Sequence, residues 1–242
     1  MLDKIIVNNL IINKLKPTKS EFINKNNKFS AKGYYNNTKV KIYEVFDPNQ
    51  GALREFVSNH NDLSLYFPKL ITYNSKFIVE EWVNGLTLKE SNFKNREHIT
   101  PFNEVKKIID LMWSVKYDKQ VFDYIDHIHQ RLKKTCTFDL SNIPTRINHN
   151  DLSLDNILIT KEGLKIIDNE FLGCNTGWIL NIKNSFLNDD FIHQNFVSED
   201  TVNDLWKVRK EWSIQNYTRQ QKKNWSFLNL FKKICLKLKK YV

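Results

Sequence analysis

Residues 147 to 170 read INHNDLSLDNILITKEGLKIIDNE. Two short apolar runs, NILIT and LKIID, flank Lys161-Glu162-Gly163, so the second half reads as a tight antiparallel hairpin. The first half gathers His149, Asp151 and Asn156 on the loop that enters this hairpin, and the returning strand delivers Asp168. An Asp–Asn pair five positions apart is common in proteins, and so is an Asp at a strand end. Their joint placement at the two mouths of one hairpin is much more specific.

Outward from this segment the chain divides into two kinds of territory. Residues 1 to 83 are strand-rich. FSAKGYYNNTKVKIYEVF (29 to 46) has β-formers on either side of Asn36-Asn37, a pair that tolerates the left-handed conformation of a tight turn. A second hairpin joins KLITY to KFIVEEWV at Asn74-Ser75. Between the hairpins Pro48 and Gly51 bracket a turn, and ALREFVSNH has the propensity of a short helix. Beyond Gly85 the pattern becomes mainly helical. Thr100-Pro101 is a cap and first-turn pair, followed to about Tyr117 by Phe102, Val105, Ile108, Ile109, Met112 and Trp113 at helical spacing. A helix over 121 to 134 turns Val121, Phe122, Ile125, Ile128 and Leu132 inward and leaves His127 and His129 as surface histidines. These two are a poor metal pair, since residues two apart point in different directions on a helix. A last helix runs from Glu199 to Tyr217 behind Ser198 as cap.

The chain has 242 residues and a net charge of +10, unevenly spread. No acidic residue follows Glu211, whereas Arg219, Lys222, Lys223, Lys232, Lys233, Lys237, Lys239 and Lys240 do, so the body is nearly neutral and the tail carries the field. Phe227, Phe231, Ile234 and Leu238 share one helical face there. Residues 222 to 242 therefore read either as a basic amphipathic helix suited to an anionic membrane surface or as a helix docked on the body with its lysines in water. No nucleic-acid-binding motif is evident. The three cysteines are far apart and lack zinc spacing, which suits a reducing cytoplasmic compartment. The N-terminal apolar run is broken by asparagines, unlike a cleavable signal.

The quoted segment resembles the catalytic segment of the protein-kinase-like superfamily, in particular its aminoglycoside phosphotransferase, choline kinase and lipopolysaccharide-core kinase branch. There a H-x-D-x-x-x-x-N loop precedes a hairpin ending in two apolar residues and Asp. The resemblance implies an α+β, two-lobed protein-kinase-like fold, with a small antiparallel-sheet N-lobe (1 to 83) and a larger, mainly helical C-lobe (84 to 221). It further implies transfer of the γ-phosphate of ATP, with Mg²⁺, to a hydroxyl. Asp151 would accept the hydroxyl proton, His149 would brace the loop, and Asn156 and Asp168 would hold the metal. Phosphoryl transfer depends on positioning and charge neutralisation, which these residue types supply. The family's phosphate-binding lysine matches Lys41, with Lys39 on the same strand face as the alternative. Glu55 falls where a helix carboxylate would hold that lysine, and Glu81, Trp82 and Val83 fall at the adenine-binding hinge.

The departures narrow the expectation. No G-x-G-x-x-G precedes Lys41. Only Gly33 lies in the preceding hairpin, and the loop NKNNK (24 to 28) would have to cover the phosphates. Asn150 stands where regulated protein kinases carry Arg, and Asp168-Asn169-Glu170 replaces D-F-G. A small-molecule or glycan acceptor, such as a lipopolysaccharide-core sugar at the inner membrane surface, fits better than a protein. The other classes are an inactive kinase-like scaffold and a serine/threonine protein kinase.

Overall fold

The computed structural model describes residues 4–17, 28–91, 99–183, 198 and 200–215. Strands β1 (Lys4–Val7), β2 (Leu10–Pro17), β3 (Ser30–Tyr35), β4 (Thr38–Glu44), β5 (Leu70–Tyr73) and β6 (Phe77–Glu81) form one curled antiparallel sheet. Their order is β1-β2-β3-β4-β6-β5. The β3–β4 turn uses Asn36 and Asn37 at φ 45° and 62°, as the sequence suggests, and Asn8-Asn9 close the β1–β2 hairpin in the same way at 46° and 66°. Both pairs occupy the left-handed region that matches the twist of a two-residue hairpin.

Alternation along the strands gives the sheet two different faces. Val7, Ile12, Leu15, Ala31, Val40, Ile42 and Val79 form a dry cluster on one side. Gly33 belongs to this packing: a Cβ there would stand 2.7 Å from Ile12 and 3.0 Å from the Asn13 carbonyl. Its role is to let β3 approach β2 closely. The opposite face carries Lys41, Tyr43, Ile78 and Glu80, all buried. Helix α1 (Gln50–Asn59) packs there. Gly51 lies inside this helix rather than in a turn before it, and a Cβ at Gly51 would stand 2.1 Å from the Tyr73 ring. Glycine is what lets α1 lie flat on β5.

The second lobe combines helices with two small sheets. Strands β7 (Leu86–Thr87), β9 (Ile157–Thr160) and β10 (Gly163–Ile166) pair in the order β10-β9-β7, and β8 (Arg146–His149) pairs with β11 (Leu172–Asn175). Helix α2 (Ile99–Ser114) buries Val105, Ile108, Ile109, Met112 and Trp113, the periodic set expected of it. Helix α3 (Tyr124–Leu132) starts three residues later than its sequence pattern implies. Val121 forms a bridge to Cys174, Phe122 adopts φ 53°, and the Asp123 carboxylate accepts the Asp126 N–H at 2.9 Å as the true cap. The final helix, α4, covers 200–215, and the Thr201 N–H donates to the Ser198 hydroxyl at 3.2 Å. Residues 24 to 27 of the expected phosphate loop and the basic segment 222 to 242 lie outside the described residues. Among the described residues no helix is long and apolar enough to cross a membrane.

The two lobes are joined where the chain leaves β4. Gln50 is buried with its whole amide satisfied: Oε1 accepts the N–H groups of Phe46 and Asp47, and Nε2 donates to the carbonyls of Glu170 and Leu172. Asp47 accepts the Phe122 N–H at 2.9 Å. The rings of Phe46, Phe122, Phe171 and His127 pack beside these bonds, with centroids 5.1 Å to 6.1 Å apart.

His127 and His129 are thus not surface histidines. His129 is buried, its Nδ1 2.8 Å from the Ile125 carbonyl, and His127 belongs to the interlobe cluster, its buried Nε2 without a hydrogen-bond partner among the described residues. Burial first, and Arg131 second, lower the His127 pKa from its ordinary 6.5 to about 4. As pH falls the unfolded chain therefore takes up this proton first, so the contribution is present above 6.5 and is lost progressively towards 4. The full effect is on the order of 3 kcal/mol. We expect His127→Phe to flatten the decline in unfolding free energy between pH 6.5 and 4 in denaturant titrations; an unchanged slope would assign that decline to other groups.

Candidate active site

Two strand ends and one loop build the site. Hairpin β9–β10 returns the chain so that the Ile167 N–H donates to the Asn156 carbonyl at 2.9 Å, which sets Asn156 beside the start of the Asp168 segment. The Asn156 amide Nδ2 donates to the Asp151 carbonyl at 2.7 Å. A carbonyl can only accept, so the amide oxygen of Asn156 is turned the other way, without a partner among the described residues. The Leu152 N–H closes a turn onto the His149 carbonyl at 3.0 Å, leaving Asp151 half-exposed on its outer side.

His149 is fully buried behind this turn. Its Nε2 lies 3.0 Å from the Ile167 carbonyl and must carry the proton there. Burial, the largest cause, holds the imidazole pKa below its ordinary value despite the carboxylates of Asp151, Asp168 and Glu170 nearby. A neutral His149 thus ties the Asp151 loop to the residue just before Asp168. Asn150 acts similarly: its Nδ2 donates to the Phe171 carbonyl at 2.8 Å, and its oxygen accepts from Asn148 at 2.6 Å.

Asp168 itself adopts φ 61° and ψ 46°, a left-handed conformation in a non-glycine residue. Such backbone strain concentrates at functional sites. Its Oδ1 accepts from Lys41 Nζ at 2.5 Å, and Glu170 Oε1 lies 3.1 Å from the same nitrogen. Lys41 is 6% exposed, whereas Lys39, two residues earlier on β4, is exposed. Burial alone would lower the Lys41 pKa. Glu170, Asp168 and Glu80 together outweigh it and raise the pKa, keeping the ammonium charged.

Lys41 and Asp168 line a cavity of about 180 Å³ together with Glu80, Glu81, Trp82, Val83 and Ile167. The three expected hinge residues therefore meet the expected lysine and metal ligand in one space. Their backbones differ in availability. The N–H groups of Glu81 and Trp82 donate to the carbonyls of Lys69 and Lys39 at 2.8 Å and 3.0 Å, while Val83 has no such partner among the described residues.

Glu55 does not join this site. It points away from β4 and accepts the Tyr73 hydroxyl at 2.7 Å, because the buried phase of α1 is Leu53, Arg54 and Val57. The residue that α1 presents to the sheet is Arg54, fully buried, whose Nη2 donates to the Pro68 carbonyl at 2.9 Å and to Glu80 Oε2 at 3.2 Å. Glu80 also accepts from the Tyr43 hydroxyl at 3.3 Å and from Asn169 Nδ2 at 3.2 Å. Glu80, Arg54, Asn169, Glu170 and Gln50 are thus site-supporting residues that sequence reasoning gave no role. Only strand alternation, which sets Glu80 on the interior face of β6, carried a local signal.

Removing one partner of a buried ion pair leaves the other charge uncompensated, at a cost of about 3–5 kcal/mol. We expect Arg54→Met to lose stability on that scale in urea denaturation, with partial recovery in Arg54→Met/Glu80→Gln. Glu55→Ala, at an exposed position, should cost no more than about 0.5 kcal/mol. A larger loss for Glu55→Ala than for Arg54→Met would contradict this geometry.

No family model matches the sequence, and no curated protein matches it. Solved structures do. The gentamicin complex of APH(2")-IIa superposes with a TM-score of 0.51 at 13% identity, covering 87% of this chain and 91% of that one. The streptomycin–ATP ternary complex of APH(2")-IIa gives 0.51 at 14% identity over 87% and 92%. The choline kinase LicA from Streptococcus pneumoniae gives 0.47 at 16% identity over 93% and 95%. At these identities the likeness to APH(2")-IIa is one of fold, and it is nearly end to end. The chain has the two-lobed α+β fold that the segment 147 to 170 leads one to expect, and shares that fold with APH(2")-IIa.

Proposed function

We propose that the protein is an ATP- and Mg²⁺-dependent phosphotransferase that delivers the γ-phosphate to a hydroxyl of a small molecule or glycan. The observation that carries this reading is the convergence of Lys41, Asp168 and the hinge residues Glu81 to Val83 on one cavity, with His149 tying Asp151 to the same strand end. The fold shared with an ATP-bound complex of APH(2")-IIa supports it.

The donor set suits Mg²⁺. Asp168 contributes a carboxylate and Asn156 an amide oxygen turned away from its own hydrogen bond, both hard oxygen ligands. When bound, the metal would neutralise phosphate charge. Adenine would meet the backbone of Val83, which has no hydrogen-bond partner among the described residues. Lys41, kept charged by its carboxylates, meets the phosphates. Asp151 orients the acceptor hydroxyl and takes its proton as the new O–P bond forms and the bond to the leaving ADP oxygen breaks. His149, neutral and hydrogen-bonded to the Ile167 carbonyl, keeps Asp151 and Asp168 in register and exchanges no proton itself.

The acceptor we favour is a sugar of a lipopolysaccharide core, met at the inner membrane surface. The lysine-rich segment 222 to 242 supports that choice, since anionic lipids attract such segments by about 1 kcal/mol per cation. The protein would then work in the cytoplasm, peripherally on the membrane.

A screen of sugars, amino alcohols and core glycolipids with labelled ATP tests both levels of the proposal. Label should pass to a hydroxyl acceptor, fastest to core glycolipid. Asp151→Asn should bind Mg·ATP about as tightly as wild type while losing transfer by roughly 10²–10⁴-fold. Full transfer in that variant would remove Asp151 from its role, and label on soluble acceptors alone would remove the membrane-surface assignment.

A further inference from the structure

Resting on the phosphotransferase reading, we propose that Glu170 is the residue that positions Lys41 for the nucleotide's phosphates, in the place of a helix carboxylate. The need for such a residue follows from Asp168. Its Oδ1 is 2.5 Å from Lys41 Nζ, yet the same carboxylate belongs to the metal when nucleotide is bound. A lysine held by Asp168 alone would compete with the metal for that oxygen and lose its anchor whenever the metal won. A second, fixed anion removes the conflict.

Helix α1 does not supply it. Glu55 is engaged with Tyr73, and the residue on the buried face is Arg54, a cation that could only repel Lys41 and instead pairs with Glu80. Glu170 does supply it. Its carboxylate is 11% exposed, Oε1 lies 3.1 Å from Lys41 Nζ, and Ser30 Oγ donates to the same oxygen at 3.2 Å. Its backbone is pinned as well, since Gln50 Nε2 donates to the Glu170 carbonyl at 2.9 Å. The lysine's partner therefore comes from the metal-binding segment itself, two residues past Asp168. Helix α1 contributes only the Gln50 amide that holds the Glu170 backbone, and no carboxylate. Arg54, buried against Glu80, locks α1 independently.

The test is a double-mutant cycle on the full chain, read as the Kd of Mg·ATP by isothermal titration at saturating Mg²⁺. Glu170→Gln should weaken binding by about tenfold, the scale of one charged hydrogen bond. Lys41→Met should weaken it by more. The double variant Lys41→Met/Glu170→Gln should bind no more weakly than Lys41→Met, because a positioning residue has no effect once its lysine is gone. Glu170→Asp, which keeps the charge, should recover part of the loss, and it replaces Glu170→Gln in the cycle if the latter fails to fold. If the two losses multiply, Glu170 acts independently of Lys41, as a direct metal ligand would, and the proposal falls. Wild-type affinity in both Glu170 variants would overturn it equally. Absence of Mg·ATP binding by the wild type would overturn the phosphotransferase reading and this inference with it.

Discussion

A buried ammonium needs a buried anion, and most of the site can be read as the consequence of placing Lys41 on the interior face of β4. Desolvation alone would lower its pKa and weaken its hold on the proton. Two carboxylates from the segment after β10 prevent this, which obliges that segment to reach across the lobe boundary. The left-handed backbone of Asp168 and the buried side chain of Glu170 are the local form of that reach. Glu80, directly opposite Lys41 in the strand register, would add a further buried negative charge without Arg54 to offset it. The Arg54–Glu80 pair and the Asn169 amide complete a polar network whose members must all be present, because an isolated charge at this depth is far costlier than a paired one.

The lobe joint serves the same constraint. Gln50 uses both ends of its amide, one on the chain leaving β4 and one on the carbonyls flanking Phe171, so α1 is tied directly to the segment after Asp168. The stacked rings of Phe46, Phe122 and Phe171 exclude water beside these bonds. A lysine from one lobe thus meets its carboxylates from the other.

What the sequence disclosed and what it concealed divide by range of interaction. Asn36-Asn37 and the run from Ile157 to Ile166 report their hairpins because turn chemistry is local, and α2 reports itself through its periodic apolar set. Asn8-Asn9 carry the same turn signal as Asn36-Asn37, but in sequence it is indistinguishable from a polar interruption of the N-terminal apolar run. Glu55 failed for a different reason. Successive helical residues differ by about 100° in direction, so a carboxylate placed one position from the buried phase points into solvent. Neither helical phase to that accuracy nor the partner of Glu80 can be read from a short segment with an amphipathic pattern as mixed as LREFVSN. Strand β11, with Gly173 between Leu172 and Cys174, looks like loop until β8 provides its partner. Asp123 took the start of α3 from Val121 by capping, a choice fixed only when Val121 pairs with Cys174.

The claim on which the rest stands is that Lys41, Asp168 and the hinge form a metal-dependent nucleotide site. The most direct measurement is isothermal titration of ATP into the wild-type chain and into Asp168→Asn, each with and without Mg²⁺. We expect one ATP per chain for the wild type, tightened by Mg²⁺, with the Mg²⁺ effect gone in Asp168→Asn. No binding by the wild type, or an identical response to Mg²⁺ in the two proteins, would contradict that claim.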